Sequence, residues 1–594
     1  MKNSKWITDI LIHLGFVLAA AVLFAASFPN PVFVHGLPYL AWFAFIPILI
    51  VINKYGLAAN VCWGGIYGLT AYSLLNYWLS SFHPIAGTIV YTIYFFYLAL
   101  VFAFLKLAYI LFPKKGYLVQ WVIWLAYEYL RTLGFLGYSY GIIGYSQWQM
   151  IPLIQIASIT GVWGVSALVA FPSFWLAAAM NTKNNNYHEG DSNQWFAGAQ
   201  RKKVKFQTKK LCATVNLWFK CDFVVEIYNV VKMFLVKEKI PAIIWAAALI
   251  AALSFGIVSN RIYSNNIAVG TYPTAQITLI QHNTDPWKAT QAPTPWQVID
   301  AHRKDLATLT RLSDEALGSD PKPQLVVWPE TSFIPRIYWH TTYRENQNVW
   351  LIVKELLDYL SVQDVPFLIG NDDARMEPAK NPDSEKRHRV DYNAAMLFEK
   401  GQNTETYRKL HLVPFTEHFP YKKLFPKVNE WLNNSDTHFW EKGNEETVFI
   451  LPEFSFSAPI CFEDTFGYLS RNFVSRGADV LINMSNDAWS NSKPAQYQHL
   501  TTAVFRAVEN NRSMVRSTST GQTCAINPMG RITSMAPAFE ETWLNVTVPI
   551  VKSKTIYTIY GDYFGILSIL TAILLLIFGA VWYTIKKRRG GQVL

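Results

Sequence analysis

Ala458-Pro459-Ile460-Cys461-Phe462-Glu463-Asp464 puts a thiol where an apolar strand gives way to acids. Two other stretches end in a similar way. Val326-Val327-Trp328-Pro329-Glu330-Thr331 is an apolar strand that closes on a carboxylate. Tyr407-Arg408-Lys409-Leu410-His411-Leu412-Val413-Pro414-Phe415 carries a lysine and is followed by Glu417. A free thiol is only a few per cent thiolate at neutral pH, so a nucleophilic cysteine wants a neighbouring base. A carboxylate in a dry pocket can take that proton, and an oxyanion formed on attack needs a cation or N–H donors aimed at it. Glu330, Lys409 and Cys461 would supply base, cation and nucleophile. Taken singly, each is more often a loop group, a solvated lysine or core filler, and periodicity alone does not select them.

Around these motifs, residues 260–556 alternate β-like runs with polar helical stretches. Strands are expected at Ala275–Gln281, Gln324–Trp328, Val365–Ile369, Ala394–Phe398, Phe454–Ile460 and Val480–Met484, and helices at Pro295–Leu317, Gln347–Tyr359 and Pro494–Asn511. That alternation predicts a layered α/β domain, with chemistry at the strand ends.

The rest of the chain is far more apolar. Runs at 8–28, 38–53, 57–80, 86–112, 117–135, 150–180, 241–259 and 563–585 are read as eight membrane spans, since a ~30 Å hydrocarbon core takes roughly 20 helical residues. The first run could also serve as a cleaved signal peptide ending near Ala25-Ala26-Ser27, but it is long for that and more spans follow at once. Three units result: a membrane domain at 1–259, an α/β domain at 260–556, and a last span with a basic tail at 557–594. Lys2, Lys5, Lys54, Lys114-Lys115, the 181–240 loop and Lys586-Lys587-Arg588-Arg589 all fall on one side of eight spans. Loops 29–37, 81–85 and 136–149 hold no lysine or arginine. Positive residues stay cytoplasmic, so both termini are expected inside and the α/β domain outside.

Composition agrees with a chain of two characters. Only 16% of the 594 residues are charged, against about 25% in soluble proteins. Disorder, collagen and coiled coil are excluded by this balance. The net charge of +11 is largely a topology signal, which removes most of the case for nucleic acid. Five scattered cysteines make neither a disulfide scaffold nor a zinc ribbon, and Cys524 is read as structural. Among the domain's eight histidines, His302, His340, His388, His411, His418, His438 and His499 lack ligand spacing, so no metal or cofactor is expected; His411 and His418 are read as positional. Two readings stay open for the basic, then aromatic, 181–240 loop: an interfacial segment on anionic lipid, or a loop with no task. Two also stay open for Glu128 and Arg131, which share a helical face: a substrate-binding function at membrane depth, or an ion pair that locks helices.

Trp-Pro-Glu-Thr at 328–331, Lys-x-His-Leu-Val-Pro-Phe-x-Glu at 409–417 and Ile-Cys-x-Glu at 460–463, in this order, resemble the nitrilase superfamily of carbon–nitrogen hydrolases. With seven spans before the domain and one after, the layout resembles the bacterial apolipoprotein N-acyltransferase family. The resemblance implies an αββα sandwich with Glu330 as general base, Lys409 as oxyanion partner and Cys461 as nucleophile. Glu417 and Glu463 match two further acids, expected to orient Lys409 and the nucleophile's loop, and the Phe462 amide would complete the oxyanion hole. The chain departs from the family pattern at Thr331-Ser332, at Phe462 where tyrosine is common, and at Phe415-Thr416-Glu417-His418, where a glycine usual before the acid is missing and the turn loses backbone freedom.

The implied reaction is ping-pong acyl transfer at the bacterial inner membrane. An acyl chain would pass from a phospholipid, expected to be phosphatidylethanolamine, through a Cys461 thioester to the α-amine of a diacylglyceryl-cysteine on an apolipoprotein. An apolar vestibule would protect the thioester, and Trp489 in Asn483–Asn491 could line it or be an ordinary packed residue. A membrane-tethered amidase using water, or a non-catalytic scaffold, are the competing readings.

Overall fold

The computed structural model describes residues 2–82, 84–186, 238–284, 294–378, 387–419, 421, 423–433 and 439–588. Most of the 181–240 loop lies outside the described residues.

Two six-stranded sheets form the α/β domain. The first joins β1 (Thr274–Gln281), β2 (Leu325–Val327), β3 (Phe367–Pro378), β4 (Arg387–Glu399), β5 (Gln402–Arg408) and β12 (Thr542–Pro549) in the order β12-β1-β2-β3-β4-β5. The second joins β6 (Phe449–Ile450), β7 (Ser455–Ser457), β8 (Val480–Ser485), β9 (Ser513–Thr518), β10 (Cys524–Ile526) and β11 (Ile532–Met535) in the order β11-β10-β9-β8-β7-β6. Each has a parallel centre, β1–β2–β3 and β7–β8–β9, with antiparallel flanks.

Side-chain alternation sets the layers. Leu325, Val327 and Leu368 enter the core between the sheets, whereas Val326, Phe367 and Ile369 pack with Leu306, Leu309, Ile352 and Leu356 of the outer helices. Those helices are Pro295–Leu317 and Gln347–Ser361; Gly467–Ser475 and Lys493–Asn510 cover the second sheet. The result is the expected αββα sandwich. The outer helix Pro295–Leu317 starts where Thr294 accepts from the Gln297 amide at 3.3 Å and the Gln297 side chain accepts from the Thr294 amide at 3.1 Å, a capping box.

Among the described residues, five helices are long and apolar enough to cross a membrane: Trp6–Ser27, Ala86–Leu111, Val162–Met180, Lys239–Ala268 and Tyr563–Arg588. Elsewhere the expected spans take other forms. The 38–53 run is a 3-10 turn, Pro38–Trp42, then the helix Ile46–Lys54; 57–80 is Leu57–Leu75; 117–135 ends at Leu130. The 150–180 run breaks into Ile151–Ile154, Ala157–Thr160 and a helix starting at Val162. Pro152 allows a helix only from its own first turn, and Gly161 turns the chain at φ +66°. In contrast, Lys239–Ala268 continues past residue 259, because nothing stops it before Gly270, at φ +66°.

The domain is pinned to the helices by hydrogen bonds across great sequence distance. The Gln498 amide donates to the Pro29 and Leu75 carbonyls at 2.8 and 2.9 Å and accepts from the Trp78 indole at 3.1 Å. Glu509 accepts from the Val162 amide at 3.0 Å, satisfying an orphan donor at a helix N-terminus.

Candidate active site

The strand β2 delivers Glu330 into a buried turn, with Thr331 at φ +45°. The turn lies against β3 at Gly370, where a Cβ would meet the Pro329 carbonyl oxygen at 2.2 Å and Glu330 Cα at 2.7 Å. Only glycine lets the backbones approach so closely. Glu330 Oε1 accepts from Asn393 Nδ2 at 2.8 Å and Lys409 Nζ at 3.3 Å, and Oε2 accepts from the Asn486 amide at 2.9 Å.

Lys409 follows β5 and is wholly buried. Its amide donates to the Asn393 carbonyl at 2.8 Å and its carbonyl accepts from the Gly443 amide at 2.9 Å. The ammonium lies 2.9 Å from Glu417 Oε1 and 3.3 Å from Glu330 Oε1. Burial works against that charge, but Glu330 and Glu417 outweigh it and hold the lysine pKa well above its usual value. Burial raises the Glu417 carboxyl, with Lys409 pulling it down and Glu330 pushing it up. The Glu417 turn forms without its glycine. Phe415 takes the left-handed conformation at φ +66°, its amide bonds the His418 carbonyl at 3.0 Å, and Glu417 Oε2 accepts from the Val413 amide at 2.9 Å.

Cys461 lies beyond β7 at φ +50° and opens a 3-10 turn, Cys461–Thr465. A left-handed backbone at a bulky residue costs about 1–3 kcal/mol and persists only where its surroundings dictate it. Glu463 is one cause: it accepts from the amides of Ile460, Leu410 and His411 at 2.7, 2.7 and 2.9 Å and from the Tyr407 hydroxyl at 2.8 Å. It thereby ties the nucleophile's loop to the lysine's. Burial lifts its carboxyl to about 7 despite these donors. The Cys461 thiol is pushed well up by burial and by Glu330, with Lys409 opposing. Glu330, Lys409 and Cys461 therefore come from three strand ends into one electrostatic neighbourhood.

The thiol opens on an apolar cavity of about 190 Å³ between domain and helices. Trp78, Ile89, Val90, Ile93, Tyr138 and Tyr140 wall it from the helical side, and Val413, Phe415, Phe462 and His499 from the domain. The Phe462 ring stacks on Tyr140 at 6.3 Å and meets Phe466 edge-on at 5.1 Å. Trp489 belongs to the short turn Asp487–Ser490 beside this cavity, but its side chain lies outside the described residues.

Glu128 and Arg131 are both buried, and of the two readings left open for them the helix-locking ion pair does not form. Glu128 Oε1 accepts from the Ile143 amide at 2.9 Å and the Trp124 indole at 3.3 Å. Arg131 donates to the Tyr94 hydroxyl at 2.7 Å and the Tyr140 carbonyl at 2.9 Å. The helix ends between them, at Leu130, so Arg131 is its C-cap and turns toward the following loop. Neither lines the cavity; Arg131 bonds Tyr94 and Tyr140, which do.

Spacing failed to single out a second buried cluster. His499, dismissed for want of ligand spacing, lies on the cavity wall with Asp464, Asp487 and Arg516 around it. Asn393 and Asn486, which hold Glu330, were also missed. Asp464 stood in the quoted motif, but its partners lie 35 and 52 positions away.

The αββα domain, with its buried carboxylate and ammonium beside a half-buried cysteine, defines a carbon–nitrogen hydrolase-type protein built onto apolar helices. Residues 279–556 match the carbon–nitrogen hydrolase family model, and residues 20–175 the model of the apolipoprotein N-acyltransferase N-terminal domain. Apolipoprotein N-acyltransferase 1 of Treponema denticola is 40% identical, covering 99% of both chains, and that of Treponema pallidum is 39% identical over the whole of both. Apolipoprotein N-acyltransferase of Geobacter metallireducens is 27% identical over 92% of this chain and 91% of that one. The chain belongs to the apolipoprotein N-acyltransferase family.

Proposed function

We propose that the chain transfers an acyl group from a phospholipid to the N-terminal diacylglyceryl-cysteine of apolipoproteins, with Glu330, Lys409 and Cys461 as its catalytic residues. Glu330 takes the Cys461 proton as sulfur attacks the phospholipid ester carbon. The oxyanion faces Lys409 and the Phe462 amide. Collapse breaks the ester C–O bond, Glu330 returns the proton to the departing lysophospholipid oxygen, and a thioester remains. The acceptor's α-amine then attacks the thioester carbon and loses a proton to Glu330. Collapse releases the Cys461 sulfur, which recovers that proton. Glu417 fixes the ammonium, Glu463 fixes the loop, and Arg131 steadies the cavity wall through Tyr94 and Tyr140.

One observation carries this reading: the thiol opens into an apolar space shared by domain and helices, where a lipid chain fits and bulk water is disfavoured. The acyl donor is taken as phosphatidylethanolamine. The lysine and arginine distribution supports an inner-membrane protein crossing eight times, with 1–259 and 557–594 as its membrane parts, 260–556 on the periplasmic side and both termini cytoplasmic. Mass spectrometry of the purified protein after exposure to phosphatidylethanolamine tests the chemistry. An acyl adduct on Cys461, discharged by a diacylated lipopeptide to a triacylated product and absent from Cys461→Ala, is the expected result. Free fatty acid without triacylated peptide would make the protein a hydrolase instead.

A further inference from the structure

Behind the nucleophile, four charged side chains from four elements close on one another. His499, on the helix Lys493–Asn510, sits between two carboxylates: Nδ1 is 3.0 Å from Asp487 Oδ1 and Nε2 is 2.8 Å from Asp464 Oδ1. Arg516, on β9, donates to Asp464 and, at 3.3 Å, to Asp487 Oδ2. Thr502 and Ser485 add hydroxyl donors to Asp464 at 3.2 Å and to Asp487 at 2.8 Å. All four charged groups are at least nine-tenths buried. The same Nε2 is 3.2 Å from the Cys461 carbonyl oxygen, which also accepts from Asn483 Nδ2 at 3.1 Å. That carbonyl belongs to the residue at φ +50°. It also starts the peptide unit whose N–H is that of Phe462, so whatever holds the carbonyl aims the amide.

Charge counting favours a protonated imidazole. An imidazolium donates to carboxylate oxygens from both ring nitrogens, whereas a neutral ring would keep only one of those bonds, its bare Nδ1 turning instead to Arg516 Nη2, 3.1 Å away. Two aspartates, one arginine and one imidazolium then sum to zero in a site too buried to leave a net charge unpaired. Burial alone would lower the imidazole pKa, but Asp464 and Asp487, opposed by Arg516, raise it to about 9. Against burial, His499 and Arg516 hold the Asp487 carboxyl down at about 2.

We propose that His499 is a positioning residue for the reaction: an imidazolium, charged at neutral pH, that, with Asn483, clamps the Cys461 carbonyl and so sets both the strained backbone of the nucleophile and the aim of the Phe462 amide. The inference rests on Cys461 being the nucleophile. It predicts a defect in acylation of the thiol larger than any in lipid capture, since the His499 donor is aimed at the backbone and its ring forms only part of the cavity wall.

The test is single-turnover acylation of Cys461 in the full-length, detergent-solubilised protein, read by mass spectrometry of the Cys461 peptide across pH 7–10. Three proteins are compared: the parent, His499→Gln and Asp487→Asn. In the parent the rate holds to about pH 9 and then falls as the imidazolium is lost. Among the groups facing the ring, Cys461 titrates well above its usual value and Asp487 far below this range; Arg516 stays protonated throughout. Asp487→Asn removes one of the two anions, so its fall should come at lower pH. His499→Gln should be slower by roughly 10- to 100-fold below pH 9, the cost of a misaimed reacting group, should lack that alkaline limb, and should change the phospholipid concentration for half-maximal rate far less than it changes the rate. A His499→Gln rate close to the parent's, or a parent limb that Asp487→Asn leaves in place, overturns the proposal. If His499→Gln does not fold, the limb in Asp487→Asn decides alone. A parent that forms no adduct on Cys461 would instead strike the functional reading.

Discussion

At Lys409 a single ammonium serves two carboxylates, 2.9 Å from Glu417 and 3.3 Å from Glu330, and the geometry is that of a compact cation. A guanidinium is planar and broader, so Lys409→Arg should abolish turnover and the Cys461 acyl adduct while the protein still purifies intact; near-normal single-turnover rates would remove Lys409 from the oxyanion. Gly370 offers a second residue-scale prediction. Gly370→Ala drives a methyl into the Pro329 carbonyl oxygen and the Glu330 backbone, neither of which can swing aside. Overpacking of this kind costs about 1–3 kcal/mol, and because the displaced turn carries Glu330, the rate of adduct formation should fall with the melting temperature. His499 bears on stability as well as rate. Its folded pKa, about 9, lies above the ordinary ~6.5, so its contribution is complete below the ordinary value and is lost as pH rises through 9. Melting temperature should therefore decline from neutral pH to alkaline pH more steeply in the parent than in His499→Gln.

Elements were legible in the sequence to the extent that their signals are local. The helix Pro295–Leu317 was read with its ends in place, since Thr294, Pro295 and Gln297 spell out an N-terminus within four residues. Thr294→Ala should cost about 1 kcal/mol and leave acylation unchanged, because this helix covers the sheet face away from the site; a fall in rate would mean that the layers are coupled. Strands β5 and β9 lack such a signal for the opposite reason. Gln402–Arg408 is polar and mostly exposed, and Ser513–Thr518 is buried throughout although four of its six residues are polar. Their strand character comes from sheet neighbours, which no local pattern records. The expected spans failed in a similar way at 150–180, where hydrophobicity persisted while Pro152 and Gly161 divided the backbone.

Over the whole molecule, the site is a joint product of domain and helices. Gln498 hydrogen-bonds Pro29, Leu75 and Trp78, and Trp78 and Gln498 are 420 positions apart. Gln498→Leu removes all three bonds at about 1 kcal/mol each and unseats Trp78 from the cavity wall; thermal unfolding and adduct formation should both report the loss. The orientation in the membrane is tested separately: a reporter after residue 594 should read as cytoplasmic, and one inserted near Pro382 as extracytoplasmic. By itself the sequence put a thiol, a lysine and a glutamate at three strand ends, in motifs whose joint order and spacing resemble a known family although each residue alone says little, and it determined which half of the chain is apolar, because hydropathy sums over neighbours. Only the tertiary structure decided which of the domain's eight histidines faces the nucleophile, that Glu128 and Arg131 part company, and which helices wall the cavity. Those facts depend on charges and surfaces meeting across hundreds of residues, and burial, which makes a charge need its partner, exists only once the chain has folded.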